Sequence, residues 1–145
     1  VLPLGGTDPV LLGASRGMAV GDLDNDGAED VILLNKDGPV HVLRNLAGSR
    51  GGQWIGLEVR DAQGRMAHHA RVRLESGGRV QHRQVQPNDG YASSHDGRLV
   101  FGLGSAEAAE KVTIRWLDGS ERVIGPLEAG RYHEVRPGDG VGATP

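Results

Sequence analysis

The sequence predicts an all-β fold, an antiparallel β-sandwich or barrel-like domain preceded by a hairpin with an acidic loop. Three observations support this prediction. The 145 residues include 24 glycines but only two Trp, two Tyr and one Phe, which is typical of short strands joined by tight turns. Several segments alternate between apolar and polar residues, and turn signals recur about every 8–12 residues, as in antiparallel sandwiches.

The alternation defines the individual strands. Ile55, Leu57 and Val59, for example, share one face of a predicted strand, because successive side chains point to opposite sides. Strands are predicted over residues 17–21, 30–35, 39–45, 54–60, 70–75, 80–85, 111–116, 121–124 and 132–136. One short helix is predicted over residues 105–110, with Ser105 as its N-cap.

Composition shifts divide the chain into four parts. The run of small and flexible residues near position 50 is the best boundary. We predict a hairpin region at 1–47, a linker at 48–52, a sandwich domain at 53–137 and a flexible tail at 138–145. The chain begins at Val1 without a signal-peptide pattern, so we expect it to be a piece of a longer protein.

The most informative segment is the acidic stretch 22–30, Asp-Leu-Asp-Asn-Asp-Gly-Ala-Glu-Asp. Ca²⁺ takes six to eight oxygen ligands, and loops with carboxylates at alternate positions supply them, with Gly27 allowing the sharp turn. A cation would also relieve the repulsion between the clustered carboxylates. The predicted ligands are the side chains of Asp22, Asp24, Asp26 and Asp30 and the backbone carbonyl of Ala28. We therefore predict a structural Ca²⁺ ion as the cofactor.

The residues flanking this loop predict strands. An EF-hand has helices on both sides and a Glu at position 12, whereas position 12 here is Leu33, within the β-branched, apolar run 31–34. The short apolar run 18–20 precedes the loop. The loop therefore joins two strands. The alternative is an ordinary turn without metal, since Asp, Asn and Gly also form such turns.

Charge and composition exclude several classes of function. A net charge of −3 provides no basic field for nucleic acid. No apolar run approaches the roughly 20 residues that would span a bilayer, so membrane insertion is not expected. The chain has no cysteine and hence no disulfide. Because millimolar calcium fills modest sites outside cells, the loop suggests a secreted, extracellular or periplasmic protein.

Two segments resemble known families. The loop and following strand, 21–34, resemble the FG-GAP/VCBS repeat, which forms β-propeller blades with calcium in a hairpin loop; the resemblance implies a blade-like hairpin at 1–47.

Residues from about 53 to 136 resemble the ASPIC/UnbV domain that follows such repeats in cartilage acidic protein and its bacterial relatives. The matching segments are 54–57, 70–72, 90–91, 101–104, 112–116 and 118–119. His69 departs from that pattern, which usually has glycine before the Ala-Arg pair. The resemblance implies no general catalytic residues.

Other residues suggest weaker candidates. The segment 93–96, Ser-Ser-His-Asp, contains the residue types of a catalytic triad, but triad members converge from separate segments, so a polar loop is the favoured interpretation. His68, His69 and His82 could cluster across a hairpin as metal ligands, although exposed histidines are commoner.

Two surfaces are candidate binding sites. Trp54 is predicted either to be exposed as a glycan-stacking platform or to pack against the calcium-loop hairpin, whereas Trp116 shares a predicted strand face with apolar residues and is expected in the core. The alternating charges at Arg71, Arg73 and Glu75 predict a solvated sheet face, with polyanion binding as the alternative.

These patterns leave three functions open. The favoured hypothesis is a calcium-stabilised binding or adhesion module at the cell exterior or envelope, with a protein or glycan partner. The alternatives are an accessory or catalytic domain of a secreted or biosynthetic enzyme, and a structural cap that closes a β-propeller.

Overall fold

The computed structural model describes residues 13–46, 51–88, 90–138 and 142–143, and none of these residues lies in a helix. The all-β prediction is confirmed. The strands are β1 (Ser15–Gly21), β2 (Asp30–Asn35), β3 (His41–Leu43), β4 (Gln53–Val59), β5 (Arg71–Ser76), β6 (Arg79–Gln84), β7 (Leu99–Gly104), β8 (Ala108–Ala109), β9 (Lys111–Arg115), β10 (Glu121–Ile124), β11 (Leu127–Glu128), β12 (Tyr132–Val135) and β13 (Gly142–Ala143).

Two four-stranded sheets form the sandwich. Their strand orders are β13-β12-β4-β7 and β10-β9-β5-β6. Their inner faces supply one contiguous core, because every second residue of the central strands is apolar and buried. Ile55 and Leu57 of β4, Leu74 of β5 and Ile114 of β9 are completely buried. The alternation in the sequence therefore identified the core positions of β4, β5 and β9 correctly, but β7, whose Phe101 is completely buried, was not predicted as a strand.

One pairing in the sandwich is parallel. β12 lies beside β4 with Tyr132 opposite Gly56 and Val135 opposite Val59, whereas the other strand pairs are antiparallel. The prediction of an antiparallel sandwich is thus correct except at this pair. Residues 142–143, in the predicted flexible tail, form β13 and pair with β12.

The predicted helix over 105–110 is wrong. Ala108 and Ala109 form β8 and pair with β11. Ser76 Oγ donates to the Ala108 carbonyl at 2.8 Å, and the Glu110 amide donates to the Glu75 carbonyl at 2.9 Å. These backbone groups bond to other strands, so tertiary pairing overrides the helical preference of the alanines and glutamates.

The N-terminal hairpin forms a third sheet, β1-β2-β3. The segment 93–96 lies along the outer edge of β1. There the Asp96 amide donates to the Val20 carbonyl at 2.8 Å, and the Val20 amide donates to His95 Nδ1 at 3.0 Å. This coverage protects the edge strand from pairing with another chain. Residues 1–12 and 47–50, which belong to the predicted hairpin region and linker, lie outside the described residues.

Candidate functional site

The acidic loop joins the end of β1 to the start of β2, as predicted. Asp22, Asp24 and Asp30 each offer a carboxylate oxygen within 4.8 Å of the others. Two oxygens on opposite sides of one Ca²⁺ ion lie about 4.6–5.2 Å apart, twice the usual Ca–O distance. Asp22 and Asp30 are only 2% exposed, while Asp24 faces solvent. Among the described residues, this is the group of acidic and histidine side chains with metal-binding geometry.

Asp22 organises the turn. Its Oδ1 accepts a hydrogen bond from the Asp26 amide at 3.0 Å, and its Oδ2 accepts one from the Gly27 amide at 2.9 Å. Asn25 and Gly27 adopt left-handed backbone conformations with φ of 59° and 84°. Short polar residues and glycine tolerate this conformation, so the sequence Asp-Asn-Asp-Gly can fold the chain sharply around Asp22.

Asp30 fixes the other end of the loop. Its Oδ2 accepts a hydrogen bond from the Leu23 amide at 3.1 Å, and its Oδ1 accepts one from the Asn45 amide at 2.7 Å. Asn45 also donates through its side chain to the Glu29 carbonyl at 3.2 Å. Asn45, two residues beyond the end of β3, is thereby bound to the loop that joins β1 and β2.

Asp26 and the backbone carbonyl of Ala28 were also predicted ligands, and both stay predictions. Asp26 lies outside the converging group, and its Oδ1 accepts a hydrogen bond from the Ala28 amide at 2.9 Å. Arg44, which the sequence did not indicate, places Nη2 2.5 Å from Asp24 Oδ2 and 3.8 Å from Asp26 Oδ2. The more exposed carboxylates thus already have one cationic partner.

The loop docks on the outer face of the sandwich sheet that contains β4 and β12. Tyr132 Oη donates to Asp22 Oδ2 at 2.6 Å. Arg98 Nη2 donates to the Asp22 carbonyl at 2.7 Å, and Nη1 donates to Asn25 Oδ1 at 2.7 Å. The Arg98 guanidinium also lies 4.2 Å from the centre of the Tyr132 ring, a cation–π distance. Tyr132 and Arg98 therefore join the loop to the sandwich.

This contact changes the acid–base properties of both side chains. Burial raises the pKa of the Tyr132 hydroxyl far above its usual value, and the hydrogen bond to Asp22 raises it further. Burial by itself lowers the pKa of the Arg98 guanidinium. The hydrogen bond to Asp96 and the nearby negative charges raise this pKa by more, so the pKa is raised overall. Tyr132 is consequently a proton donor and Arg98 a fixed cation at physiological pH.

Trp54 packs against the hairpin, which is the second of the two predicted alternatives. It is half-buried, and a Cβ placed on Gly27 would lie 2.1 Å from Trp54 Cδ2, so the loop crosses the indole in close contact. Its ring meets that of Tyr132 edge-on at 5.2 Å. Trp54 also lines a hollow of about 470 Å³ between hairpin and sandwich, with Glu29 and Arg83 among its walls.

The other candidates have structural roles. Ser93 Oγ accepts a hydrogen bond from the Met18 amide at 3.2 Å, so the segment 93–96 holds β1, in agreement with the polar-loop interpretation. The three histidines at 68, 69 and 82 do not converge as a metal group among the described residues. Trp116 is 6% exposed and donates to the Arg60 carbonyl at 2.8 Å, as expected of a core residue.

Comparison with known proteins gives one family. The family model described as ASPIC and UnbV matches residues 60–142, which is more than half of the chain and most of the sandwich. The matched range excludes the acidic loop, so the FG-GAP/VCBS resemblance of 21–34 stays a prediction. No curated protein sequence matches the chain. Within the described residues, no helix has the length and apolar character needed to cross a membrane.

Proposed function

Because this chain belongs to the ASPIC and UnbV family, we propose that it is a calcium-stabilised binding module of the cell exterior or envelope. The observation that carries the proposal is the convergence of Asp22, Asp24 and Asp30, two of them buried. Buried carboxylates are costly unless they are hydrogen-bonded and paired with positive charge. Arg44 contacts Asp24 and Asp26, and Arg98 contacts Asp22 at its backbone carbonyl, so a divalent cation would add positive charge in direct contact with the buried carboxylates of Asp22 and Asp30.

The existing hydrogen bonds leave room for a metal. A carboxylate has about four lone-pair positions. Asp22 uses three of them, for the amides of Asp26 and Gly27 and for the Tyr132 hydroxyl, which leaves one on Oδ1. Asp30 uses two. When bound, Ca²⁺ would supply the missing positive charge, and these residues would transmit the resulting rigidity to β1, β2 and the sandwich.

The proposed location follows from the chemistry of the site. Three carboxylates, one of them exposed and paired with Arg44, form a site of modest charge compared with tight intracellular calcium sites. Such sites are filled where calcium is millimolar, as it is outside cells.

The hollow beside Trp54 is the proposed contact surface for a protein or glycan partner, because a half-buried indole next to polar groups suits either.

A thermal melt tests the calcium proposal. The protein is melted with excess EGTA and again after addition of Ca²⁺ or Mg²⁺. A metal at 100 times its Kd that binds only the folded state adds about 2.7 kcal/mol to the free energy of unfolding, which raises Tm by several degrees. We expect this rise with Ca²⁺ and not with Mg²⁺.

Two variants make the test specific. Asp24→Ala removes one exposed ligand while leaving the hydrogen bonds of Asp22 and Asp30 in place, so it should abolish the calcium-dependent rise. Asp37→Ala removes an equal charge from the β2–β3 turn of the same hairpin and should retain the rise. If wild type shows no calcium-dependent shift, the calcium proposal is wrong.

A structural cap is a second candidate, supported by the hairpin surface. Leu34, Val40 and Val42 are each more than half exposed, although all three belong to or adjoin the small hairpin sheet. Exposed apolar side chains that lie close together mark contact surfaces. Under this proposal, the double substitution Leu34→Ser and Val42→Thr reduces the binding of a hydrophobic dye without lowering Tm. Unchanged dye binding would contradict a cap role for this surface.

A further inference from the structure

Two arginines lie directly opposite one another on the outer face of the second sandwich sheet. The antiparallel pairing of β5 with β9 places Arg71 opposite Arg115. Both side chains are exposed, and neither guanidinium forms a hydrogen bond or ion pair with another residue in the described part of the chain. Like charges directly opposite each other in a sheet are destabilising, so this pair reduces stability unless an anion lies between the two guanidinium groups.

The surface around the pair is concave. Two adjoining hollows of about 540 and 270 Å³ share Arg71, Gln84 and Arg115 in their walls. The larger hollow adds Arg73 and Thr113, and the smaller one extends toward the loop after β9. The two arginines therefore lie where the two hollows adjoin, and the combined groove is larger than a single ion requires.

The neighbouring charges leave this junction positive. Arg73 is already paired with Glu75. Glu121 of β10 lies opposite Arg115 and also lines the larger hollow, but it forms no ion pair within the described residues. The positive charges of Arg71 and Arg115 are thus not matched by a contacting carboxylate, in contrast to Arg60, Arg65 and Arg98 elsewhere in the molecule.

We propose that Arg71 and Arg115 bind the carboxylate or sulfate groups of an acidic oligosaccharide. The planar guanidinium presents paired N–H donors that match such oxyanions. Gln84 and Thr113 beside them provide the amide and hydroxyl groups that bind sugar hydroxyls. A nucleic acid fits less well, because the net charge is −3 and the Trp116 indole in the wall is buried, which leaves no indole face for base stacking.

The test is a calorimetric titration of the purified chain with three oligosaccharides of equal length: a sulfated one, a uronic-acid one and a neutral one. We expect binding of a charged ligand that weakens as salt is raised, and no binding of the neutral one. Comparison of the sulfated and uronic-acid ligands identifies the preferred oxyanion. If neither charged ligand binds at millimolar concentration, the proposal is wrong.

Matched variants locate the site. Arg71→Gln or Arg115→Gln should each weaken binding about tenfold, equivalent to about 1.4 kcal/mol. Arg79→Gln, an equal loss of charge at the far end of the β5–β6 hairpin, should change binding less than about twofold. An equal effect of all three substitutions would show nonspecific attraction and overturn the proposed site.

One more variant separates loss of binding from loss of folding. Arg71→Glu replaces the like-charge pair by an opposite-charge pair with Arg115, so it should abolish binding while Tm is unchanged or higher. Retained binding by Arg71→Glu would contradict the proposal. None of the converging carboxylates Asp22, Asp24 and Asp30 lines the two hollows, so EGTA should leave oligosaccharide binding intact even if the calcium proposal fails.

Discussion

Tyr132 Oη donates a hydrogen bond of 2.6 Å to Asp22 Oδ2, joining two buried side chains that are 110 positions apart in the sequence. The tyrosine belongs to the central region of the sandwich, in β12, and the aspartate belongs to the acidic loop of the hairpin. This bond makes the stability of the loop and the stability of the sandwich interdependent. It also gives the family domain a direct contact with the candidate metal position.

Removal of the Tyr132 hydroxyl should destabilise the protein. A hydrogen bond to a charged group contributes about 1.5–3 kcal/mol to the free energy of unfolding, so Tyr132→Phe should lower that free energy by an amount in this range. Tyr91→Phe is the matched control, because Tyr91 is 81% exposed. Chemical denaturation of both variants measures the difference. Equal stability of the two variants would show that the bond contributes nothing.

Stability should fall at alkaline pH for the same reason. The unfolded tyrosine has a pKa of about 10, and the folded pKa of Tyr132 is higher. The folded state therefore keeps a proton that the unfolded state releases, so the stabilisation is complete below about pH 10 and is lost as pH rises above it. We expect Tm to decrease between about pH 9 and 11. The decrease should be larger in wild type and in Tyr91→Phe than in Tyr132→Phe. A decrease of the same size in all three proteins would exclude Tyr132 as its source.

Close contact between the loop and Trp54 should make Gly27 intolerant of a side chain. Gly27 and Gly51 have similar left-handed φ values, 84° and 88°. A Cβ added to Gly27 would overlap the Trp54 indole, whereas a Cβ added to Gly51 would have no atom within 4 Å. Both alanine substitutions incur backbone strain, and Gly27→Ala should cost about 1–3 kcal/mol more because of overpacking. Denaturation curves of the two variants give this difference directly, and similar costs would argue against the docked position of the loop.

Arg44 should compete with a metal ion for Asp24. Its guanidinium is the cation nearest to that carboxylate, so Arg44→Gln should increase the calcium affinity of the proposed site by a few-fold, since unit charges about 4 Å apart in water interact by about 1 kcal/mol. Lys36→Gln, in the turn of the same hairpin, should leave the affinity unchanged. Calcium titrations monitored by calorimetry test this prediction. A weaker affinity after Arg44→Gln would contradict competition.

The sequence alone determined the features that depend on local spacing. Alternation located β4, β5 and β9 and assigned Trp116 to the core, because a strand with one buried face requires an apolar residue at every second position. The spacing of Asp22, Asp24 and Asp30 located the acidic loop, because the ligands of such a loop come from one short segment.

The tertiary structure decided which distant segments meet. It placed β12 parallel to β4, drew Ala108 and Ala109 into a strand, and brought Tyr132 and Arg98 onto the acidic loop. It also set Arg71 opposite Arg115. Residue periodicity reports which face of a segment is buried, but it does not specify the partner that buries it. That choice depends on the packing and hydrogen bonding of the whole chain, which form only when segments far apart in sequence come together.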